Sequence, residues 1–430
     1  MARFLLRGGR VVDPAGGRDG TADVLIEDSL VAEVGEGLSA PAAEVLDCDG
    51  LVIAPGLVDL HAHLREPGRE DAETVETASR AGALGGYTAV CAMPNTDPVA
   101  DTAAVILEVR NLGDKAGLVD VHPAAAITRG LQGETLVEIG ELAELGVKLF
   151  TDDGQCVQSS RMMRLALDYA RAFGVVISQH AQDAALSEGW QMHEGHYSAL
   201  LGLRGAPGEA ESVIVARDLQ LAGLTGGRLH VTHVSAARSV ELLGEARGRG
   251  VRITSDVTPH HLTFADEDLQ GYDTNLRVNP PLRSVEDRDA LRSRFRDGTL
   301  EAVSTDHAPH AVEDKEVEFD QARPGTTGLE TALAAVLSSL GPNPDLSMVV
   351  DRMSTTPAGI LGLDEHGGPI APGRDANLTV FDPDAEWTAG ERPFASRGRN
   401  SAFLGRTLRG RVVHTVLRGT FTVRDGEATR

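Results

Sequence analysis

Short apolar runs alternate with longer amphipathic stretches through the middle of the chain. The runs begin near positions 57, 87, 120, 147, 175, 229, 251 and 302. Runs of this kind, bounded by turn residues, are typical of buried strands, and the stretches between them are long enough for helices. Eight such units predict an α/β fold of the (β/α)8 TIM barrel class, in which the carboxyl ends of the strands form the active site.

The two ends of the chain show a different pattern, with short strand-like runs separated by glycine-rich turns. These runs lie at residues 4–6, 23–26, 30–34, 376–382 and 412–419. We therefore predict that residues 1–54 plus 365–430 form a small β-sandwich domain built from both termini. Residues 55–364 are predicted to form the barrel.

Two segments of the predicted barrel fit neither strands nor helices. They cover residues 188–211 and 308–328, and each follows a predicted strand that ends in polar side chains. Long irregular segments in a compact domain are commonly functional loops. We predict that both lie over the mouth of the active site and that the second acts as a lid.

The run at residues 57–63 (LVDLHAH) ends in two histidines separated by one residue. Side chains alternate between the two faces of a strand, so His61 and His63 project from the same face and can bind one metal ion. This spacing predicts a metal site at the end of the first barrel strand.

Three other predicted strands end in residues that also bind metals. The runs at residues 175–180, 229–233 and 302–306 end in His180, His233 and Asp306. Because strand ends converge on one face of a barrel, we expect these side chains to share a site with the first two histidines. Imidazole and carboxylate ligands suit zinc.

Composition excludes several other classes of protein. The 430 residues include 64 acidic and 40 basic side chains, for a formal net charge of −24, which disfavours nucleic acids and anionic lipids as partners. The three cysteines show no CxxC spacing, so neither a disulfide framework nor a thiolate zinc site is indicated. We find no signal peptide and no membrane-spanning run, and we expect a cytoplasmic protein.

Several motifs together resemble those of a known family. Residues 59–67 (DLHAHLREP) and 304–310 (STDHAPH), with Lys315, resemble the two signature motifs of bacterial type I dihydroorotases in the amidohydrolase superfamily. Residues 92–96 (AMPNT), 150–154 (FTDDG) and 278–283 (VNPPLR) extend the resemblance. It implies a zinc-dependent, reversible cyclisation of N-carbamoyl-L-aspartate to L-dihydroorotate, the third step of pyrimidine synthesis.

The resemblance also implies roles for individual residues. Asp306 would be the catalytic acid and base, and two zinc ions per subunit would be bound by His61, His63, Asp153, His180, His233 and Asp306. The substrate would contact His63, Arg65, Asn95, Asn279, His310, Pro324 and Gly325. Arg323 departs from the family pattern, since relatives commonly have proline there.

The residue that bridges the two metals has two candidates. Some relatives use a carbamylated lysine on the fourth strand, and Lys148 occupies a matching segment. Bacterial relatives use an aspartate, and Asp153 in residues 151–154 (TDDG) matches that type. We favour Asp153.

Other functions and partners stay open at this stage. The chain could be a hydantoinase or allantoinase, which share the metals but not the substrate contacts. It could also be a non-catalytic scaffold for aspartate transcarbamoylase, although such homologues lack several metal ligands that this chain retains. We expect a homodimer, and association of an active enzyme with aspartate transcarbamoylase stays open.

Overall fold

The computed structural model describes residues 3–430, so Met1 and Ala2 of the predicted first domain lie outside the described residues. The strands are β1 Arg3–Asp13, β2 Arg18–Glu27, β3 Leu30–Gly35, β4 Glu44–Asp47, β5 Val52–Pro55, β6 Leu57–Ala62, β7 Tyr87–Ala92, β8 Asp120–Pro123, β9 Leu149–Thr151, β10 Val176–Gln179, β11 Met192–His193, β12 Gly205–Ala206, β13 Arg228–Val231, β14 Ile253–Val257, β15 Ala302–Val303, β16 Leu378–Thr388, β17 Thr407–Leu417, β18 Thr420–Arg424 and β19 Glu427–Ala428.

Helices fill most of the intervals between the central strands. The α-helices are α1 Val75–Leu84, α2 Ala103–Ala116, α3 Ile139–Glu144, α4 Ser160–Arg171, α5 His196–Leu201, α6 Glu209–Thr225, α7 Ala237–Gly248, α8 Pro259–Thr263, α9 Val285–Asp297, α10 Val312–Lys315, α11 Ala332–Ser339, α12 Leu346–Val350 and α13 Thr356–Leu361. Short 3-10 turns lie at Arg129–Leu131, Asp266–Gly271 and Thr274–Leu276, and a π-helical turn lies at Asp351–Thr355. Within residues 3–430, none of the helices is long and apolar enough to cross a membrane.

Each of the eight central apolar runs forms a strand, and all of their pairings are parallel. One sheet has the order β6-β7-β8, and a second has the order β15-β14-β13-β10-β9. Isolated parallel bridges join Ala125 to Phe150 and Ala62 to His307, linking the edges of the two sheets. The prediction of an α/β fold with parallel strands is confirmed, and the carboxyl ends of these strands lie side by side.

Local sequence explains why these segments become strands and helices. The residues of β6, β7, β9 and β10 are all buried, as expected of parallel strands covered on both faces. In α4, Met163, Ala166, Leu167 and Ala170 are buried, and their spacing of three and four residues marks one helix face. These side chains belong to the main hydrophobic core between the helices and the sheet.

Strands from both ends of the chain pair in one nine-stranded sheet. Its order is β19-β18-β17-β16-β5-β1-β2-β3, with β4 paired to β1. The short strand β5 joins the two halves, because it pairs parallel to β1 and antiparallel to β16. Phe381 and Val423 from this sheet are fully buried in the main core, so the sheet packs against the central part of the molecule.

The segment at residues 188–211 was wrongly predicted to be irregular. It contains β11, α5, β12 and the start of α6, and β11 pairs in parallel with β12. Two-residue strands and a six-residue helix are too short to give a readable period, which is why the sequence pattern concealed them. The segment at residues 308–328 is mainly irregular, with α10 as its one α-helix, and its predicted motion stays a prediction.

Candidate metal centre and active-site cavity

The two histidines of β6 face a pair of carboxylates. The Nε2 atom of His61 lies 3.4 Å from Asp153 Oδ1 and 3.6 Å from Asp306 Oδ1. The Nε2 atom of His63 lies 3.5 Å from Asp153 Oδ2 and 3.3 Å from Asp306 Oδ1. The strand alternation therefore places both imidazoles on the side where β9 and β15 end.

The remaining two histidines face the same aspartate. His180 follows β10, and its Nδ1 atom lies 3.6 Å from Asp153 Oδ1. His233 follows β13, and its Nε2 atom lies 3.9 Å from that oxygen and 2.9 Å from His180 Nδ1. Asp153 is thus within 4 Å of all four histidines that the sequence predicts as ligands.

Hydrogen bonds on the outer side of three imidazoles determine which nitrogen faces the site. The Thr232 hydroxyl lies 3.2 Å from Asp256 Oδ2, to which it donates, so its oxygen accepts from His61 Nδ1 at 3.0 Å. His63 Nδ1 donates to Asn95 Oδ1 at 2.9 Å. His180 Nε2 donates to Gln182 Oε1 at 2.8 Å.

These bonds hold the outer nitrogen of each ring in its protonated form and direct the other nitrogen at the carboxylates, so that loss of the inner proton would give the tautomer that binds a metal. The three outer acceptors, Thr232, Asn95 and Gln182, come from different parts of the chain. Neither Thr232 nor Gln182 was predicted from the sequence to act at the site. Each lies within two residues of a predicted ligand, since Thr232 precedes His233 and Gln182 follows His180 by two positions, and this proximity is the local signal that could have indicated them.

The histidines and aspartates of the cluster stabilise each other's charged forms. Burial opposes a charged imidazole, but the Asp153 and Asp306 carboxylates raise the pKa of His61 to about 9. Burial also opposes ionisation of the two aspartates, yet the surrounding histidines hold the pKa of Asp153 and that of Asp306 well below the usual range. Both carboxylates are therefore anionic near neutral pH.

Two further buried aspartates connect the strand ends. Asp59 accepts from the backbone N–H of Thr305 at 2.9 Å, and burial raises the pKa of Asp59 to about 7. Asp256 accepts from the backbone N–H of His233 at 2.6 Å and from the Ser304 hydroxyl at 2.7 Å. Each aspartate therefore fixes a neighbouring strand end next to a residue of the cluster.

The backbone is strained where the cluster is formed. His233 has φ 38°, Asp306 has φ 45° and Arg65 has φ 61°. Residues with side chains rarely adopt this left-handed region, and they do so mainly where surrounding contacts hold them in place. The hydrogen bonds of Asp59 and Asp256 supply such contacts beside Asp306 and His233.

The donor atoms fit a divalent metal. His61 Nε2 is buried and has no hydrogen-bond partner among the described residues. Two ligands about 2.1 Å from one ion at the tetrahedral angle lie about 3.4 Å apart, close to the separations of 3.3 to 3.6 Å measured between the histidine nitrogens and the aspartate oxygens. In two overlapping groups, His61 with His63 and Asp306, and His61 with Asp153 and His233, all donor atoms lie within 4.8 Å of one another.

The cluster opens into a cavity of about 320 Å³. Every residue predicted to contact substrate lines this cavity, namely His63, Arg65, Asn95, Asn279, His310, Pro324 and Gly325. Arg65 donates from Nε to the carbonyl of Pro309 at 3.1 Å, which leaves its other guanidinium nitrogens for a ligand. Asn95 donates to Asp153 Oδ2 at 3.2 Å in addition to its bond with His63, so one N–H remains for a ligand.

The two candidates for the bridging ligand occupy opposite ends of β9. Asp153 follows the carboxyl end of the strand and is 4% exposed. Lys148 precedes the amino end, is exposed to solvent and does not line the cavity. Five residues of extended chain span on the order of 16 Å, so the lysine lies far from the histidines.

Solved structures with the same fold indicate the class. An L-hydantoinase from Arthrobacter aurescens superposes with a TM-score of 0.89 and 26% identity, covering 100% of this chain and 98% of that one. A dihydropyrimidinase from Brevibacillus agri superposes with a TM-score of 0.82 and 24% identity, covering 99% of this chain and 96% of that one. Fold and site together define an amidohydrolase, a class for which a metal cofactor is implied.

Sequence comparison narrows the class to one family. Residues 50–239 match the family described as dihydro-orotase-like. A curated dihydroorotase from Streptomyces coelicolor is 49% identical over 100% of both chains, and one from Pelotomaculum thermopropionicum is 47% identical over 98% of this chain and 99% of its own. The chain belongs to the dihydroorotase family, whose members are cyclic amide hydrolases.

Replacing Thr232 with valine should weaken metal binding. Thr232→Val keeps the shape but removes the oxygen that accepts from His61 Nδ1, so the ring loses the bond that fixes its tautomer. Removing such an outer partner typically costs about 10- to 100-fold in metal affinity. Competition with a chelator measures the affinity, and Thr232→Ser, which keeps the hydroxyl, is the control. Wild-type affinity in Thr232→Val would contradict this role.

Proposed function

We propose that this chain is a dihydroorotase that reversibly cyclises N-carbamoyl-L-aspartate to L-dihydroorotate. The observation that carries the proposal is the cluster of four histidines and two aspartates at the strand ends, open to a cavity of about 320 Å³ that Arg65 lines. Full-length identity of 47 to 49% to curated dihydroorotases supports the choice of substrate. The reaction belongs to pyrimidine biosynthesis.

We further propose two zinc ions per subunit. His61, His63 and Asp306 would hold one ion, His180 and His233 the other, and Asp153 would bridge them. The bridging role is supported by the contacts of the two Asp153 oxygens. Oδ2 lies 3.5 Å from His63 Nε2, and Oδ1 lies within 3.9 Å of a nitrogen of His61, His180 and His233, so the carboxylate contacts both groups of histidines. When bound, zinc would polarise the amide carbonyl and lower the pKa of water from about 16 to about 7.

Asp306 is the proposed acid and base. It is anionic, because nearby histidines hold its pKa below the usual range despite burial, and it lines the cavity. In hydrolysis its carboxylate takes the proton of the attacking water and delivers it to the leaving amide nitrogen. In cyclisation the same group takes the proton from the nitrogen and returns it to the departing water.

Arg65 is the proposed partner for a substrate carboxylate. Its guanidinium lines the cavity together with Asn95, and it can make a two-pronged contact with a carboxylate. Asn95, Asn279 and His310, with the backbone around Pro324 and Gly325, would complete the contacts. Arg323, whose side chain is 56% exposed, also lines the cavity.

The architecture that would support this chemistry is a closed barrel. The bridges from Ala125 to Phe150 and from Ala62 to His307 support closure of eight parallel strands within residues 55–364. We assign residues 1–54 and 365–430 to a terminal β-sandwich, supported by the sheet that both ends share. A homodimer, a cytoplasmic location and association with aspartate transcarbamoylase are further proposals that follow from the family.

A hydantoinase activity is the second candidate, because solved hydantoinases share the fold over the whole chain. Their identity of 22 to 26% is lower than that of the curated dihydroorotases. The two candidates differ in substrate, since only a dihydroorotase must bind a carboxylate on the ring. The Arg65 side chain in the cavity favours the dihydroorotase.

The substrate pair can be tested by the pH dependence of its equilibrium. Carbamoyl aspartate is a dianion and dihydroorotate a monoanion, so cyclisation consumes one proton. The ratio of dihydroorotate to carbamoyl aspartate should therefore rise tenfold, about 1.4 kcal/mol, for each unit by which the pH falls near neutrality. Equilibrium ratios reached with the purified enzyme from both directions measure this slope. Turnover of hydantoin but not of dihydroorotate would establish the second candidate instead.

Replacing Asp306 with asparagine should remove turnover but not the fold. Asp306→Asn keeps the size of the side chain, whereas its amide cannot accept and return the proton. Loss of a general acid and base costs typically about 10²- to 10⁴-fold in rate. Steady-state kinetics and metal analysis of the same preparation are the measurements. A near-normal rate in a fully metal-loaded variant would refute the role.

The bridging ligand can be identified by comparing two alanine variants. Asp153→Ala should lose paired metal binding, because two dications would repel each other without the carboxylate between them. Lys148→Ala should keep both ions and should not depend on bicarbonate. Elemental analysis after dialysis and activity with and without bicarbonate distinguish the two ligands. Two tightly held ions in Asp153→Ala, or a wild-type activity that requires bicarbonate after metal reconstitution, would favour the lysine.

A further inference from the structure

Asn400 lies far from the cavity in sequence but close to it in space. It belongs to the irregular segment between β16 and β17, within the part of the chain proposed as the terminal domain. Its side chain is buried, with 3% of the residue exposed. The N–H groups and the oxygen of a buried amide need hydrogen-bond partners, so the partners of Asn400 show which segments it connects.

The side-chain amide of Asn400 makes three hydrogen bonds to the backbone. Its Oδ1 accepts from the N–H of His310 at 3.0 Å. Its Nδ2 donates to the carbonyl of Ala308 and to that of Gly325, both at 3.0 Å. Both N–H groups and the oxygen of the amide are therefore used.

These partners lie on the two sides of one active-site loop. Ala308, His310 and Gly325 line the cavity. The backbone carbonyl of Asn400 also accepts from the N–H of Thr327 at 2.9 Å and from the Thr326 hydroxyl at 3.1 Å. Asn400 therefore connects the segment that follows Asp306 to the segment that contains Gly325, Thr326 and Thr327.

Close packing leaves little room for this arrangement to relax. A Cβ atom added at Gly398 would lie 2.6 Å from Pro309 Cβ, so this backbone sits directly against the loop. Gly325 has φ +143°, and an added Cβ would lie 2.8 Å from His310 Nε2. That nitrogen is 2.9 Å from the carbonyl of Pro324, to which it donates. A displacement of Asn400 would therefore be transmitted to both sides of the loop.

We propose that Asn400 is a positioning residue for substrate, which sets the separation between His310 and the Pro324–Gly325 backbone. The inference rests on the proposed function, because those groups are proposed to contact the substrate. Asn400 itself does not line the cavity. It acts through the loop, and its loss should weaken substrate binding more than it slows the chemical step at Asp306.

The matched variants are Asn400→Asp and Asn377→Asp. Asn400→Asp keeps the shape but places a carboxylate against two carbonyl oxygens, which should separate the two sides of the loop. Asn377 is a similar buried amide directly before β16, where it donates to the carbonyl of Glu365 at 2.9 Å and accepts from the N–H of Arg418 at 2.7 Å. Asn377 does not line the cavity, so its variant reports general destabilisation.

In the metal-loaded proteins, the KM for dihydroorotate should rise at least about 10-fold in Asn400→Asp, the size expected when a buried polar group loses its partners. The kcat should change by a smaller factor. Asn377→Asp should lower the melting temperature and leave KM within about twofold of wild type. An unchanged KM in Asn400→Asp, or equal rises in both variants, would overturn the proposal.

A second variant gives a readout that needs no substrate. Asn400→Ala removes the acceptor of the His310 N–H, so hydrogen exchange in residues 308–310 and 325–327 should become faster than in wild type and in Asn377→Asp. Unchanged exchange would also count against the proposal. If the wild type acts on hydantoin and not on dihydroorotate, the proposed function fails. The KM of each variant relative to wild type is then measured with hydantoin, and the same outcomes decide the role of Asn400.

Discussion

The carboxylate of Asp153 is buried among four imidazoles, and the site depends on how that charge is compensated. Moving an ionised carboxylate out of water is expensive unless charged or hydrogen-bonding groups surround it. His61, His63, His180 and His233 provide these groups within 3.9 Å. Because they come from three strands other than that of Asp153, the compensation exists only when the ends of the strands meet. A divalent cation between the carboxylate and the imidazoles would complete it.

The same requirement explains the polar residues behind the cluster. Asp59 and Asp256 carry hydrogen bonds from backbone and side chains of neighbouring strand ends, so their burial fixes the distances between strands. Thr232 connects Asp256 to His61 and thus links this support to a candidate ligand. The strained backbone at His233 and Asp306 lies where these bonds are concentrated. Stability and ligand geometry therefore depend on the same hydrogen bonds.

The cavity is built from two kinds of structure. Strand ends supply the candidate metal ligands, which need fixed separations, whereas loops supply most of the candidate substrate contacts. The loop that bears His310 and Gly325 has little regular structure of its own, and Lys315 donates to the carbonyls of Arg323 at 2.9 Å and Gly325 at 3.1 Å. Residues that are distant in sequence, including Asn400, complete its support. Irregular loops can be held accurately when their backbone groups are bonded in this way.

The sequence by itself determined the eight central strands, the parallel α/β fold and the family. Side-chain alternation along β6 placed His61 and His63 on one face, because strand geometry is a local property. Tertiary structure decided what depends on contacts between distant segments. It gave His61 its partner Thr232, brought Asn400 to the active-site loop and formed the short elements within residues 188–211. It also brought Asp153 rather than Lys148 to the histidines, since the direction in which β9 runs through the fold decides which end of the strand meets them.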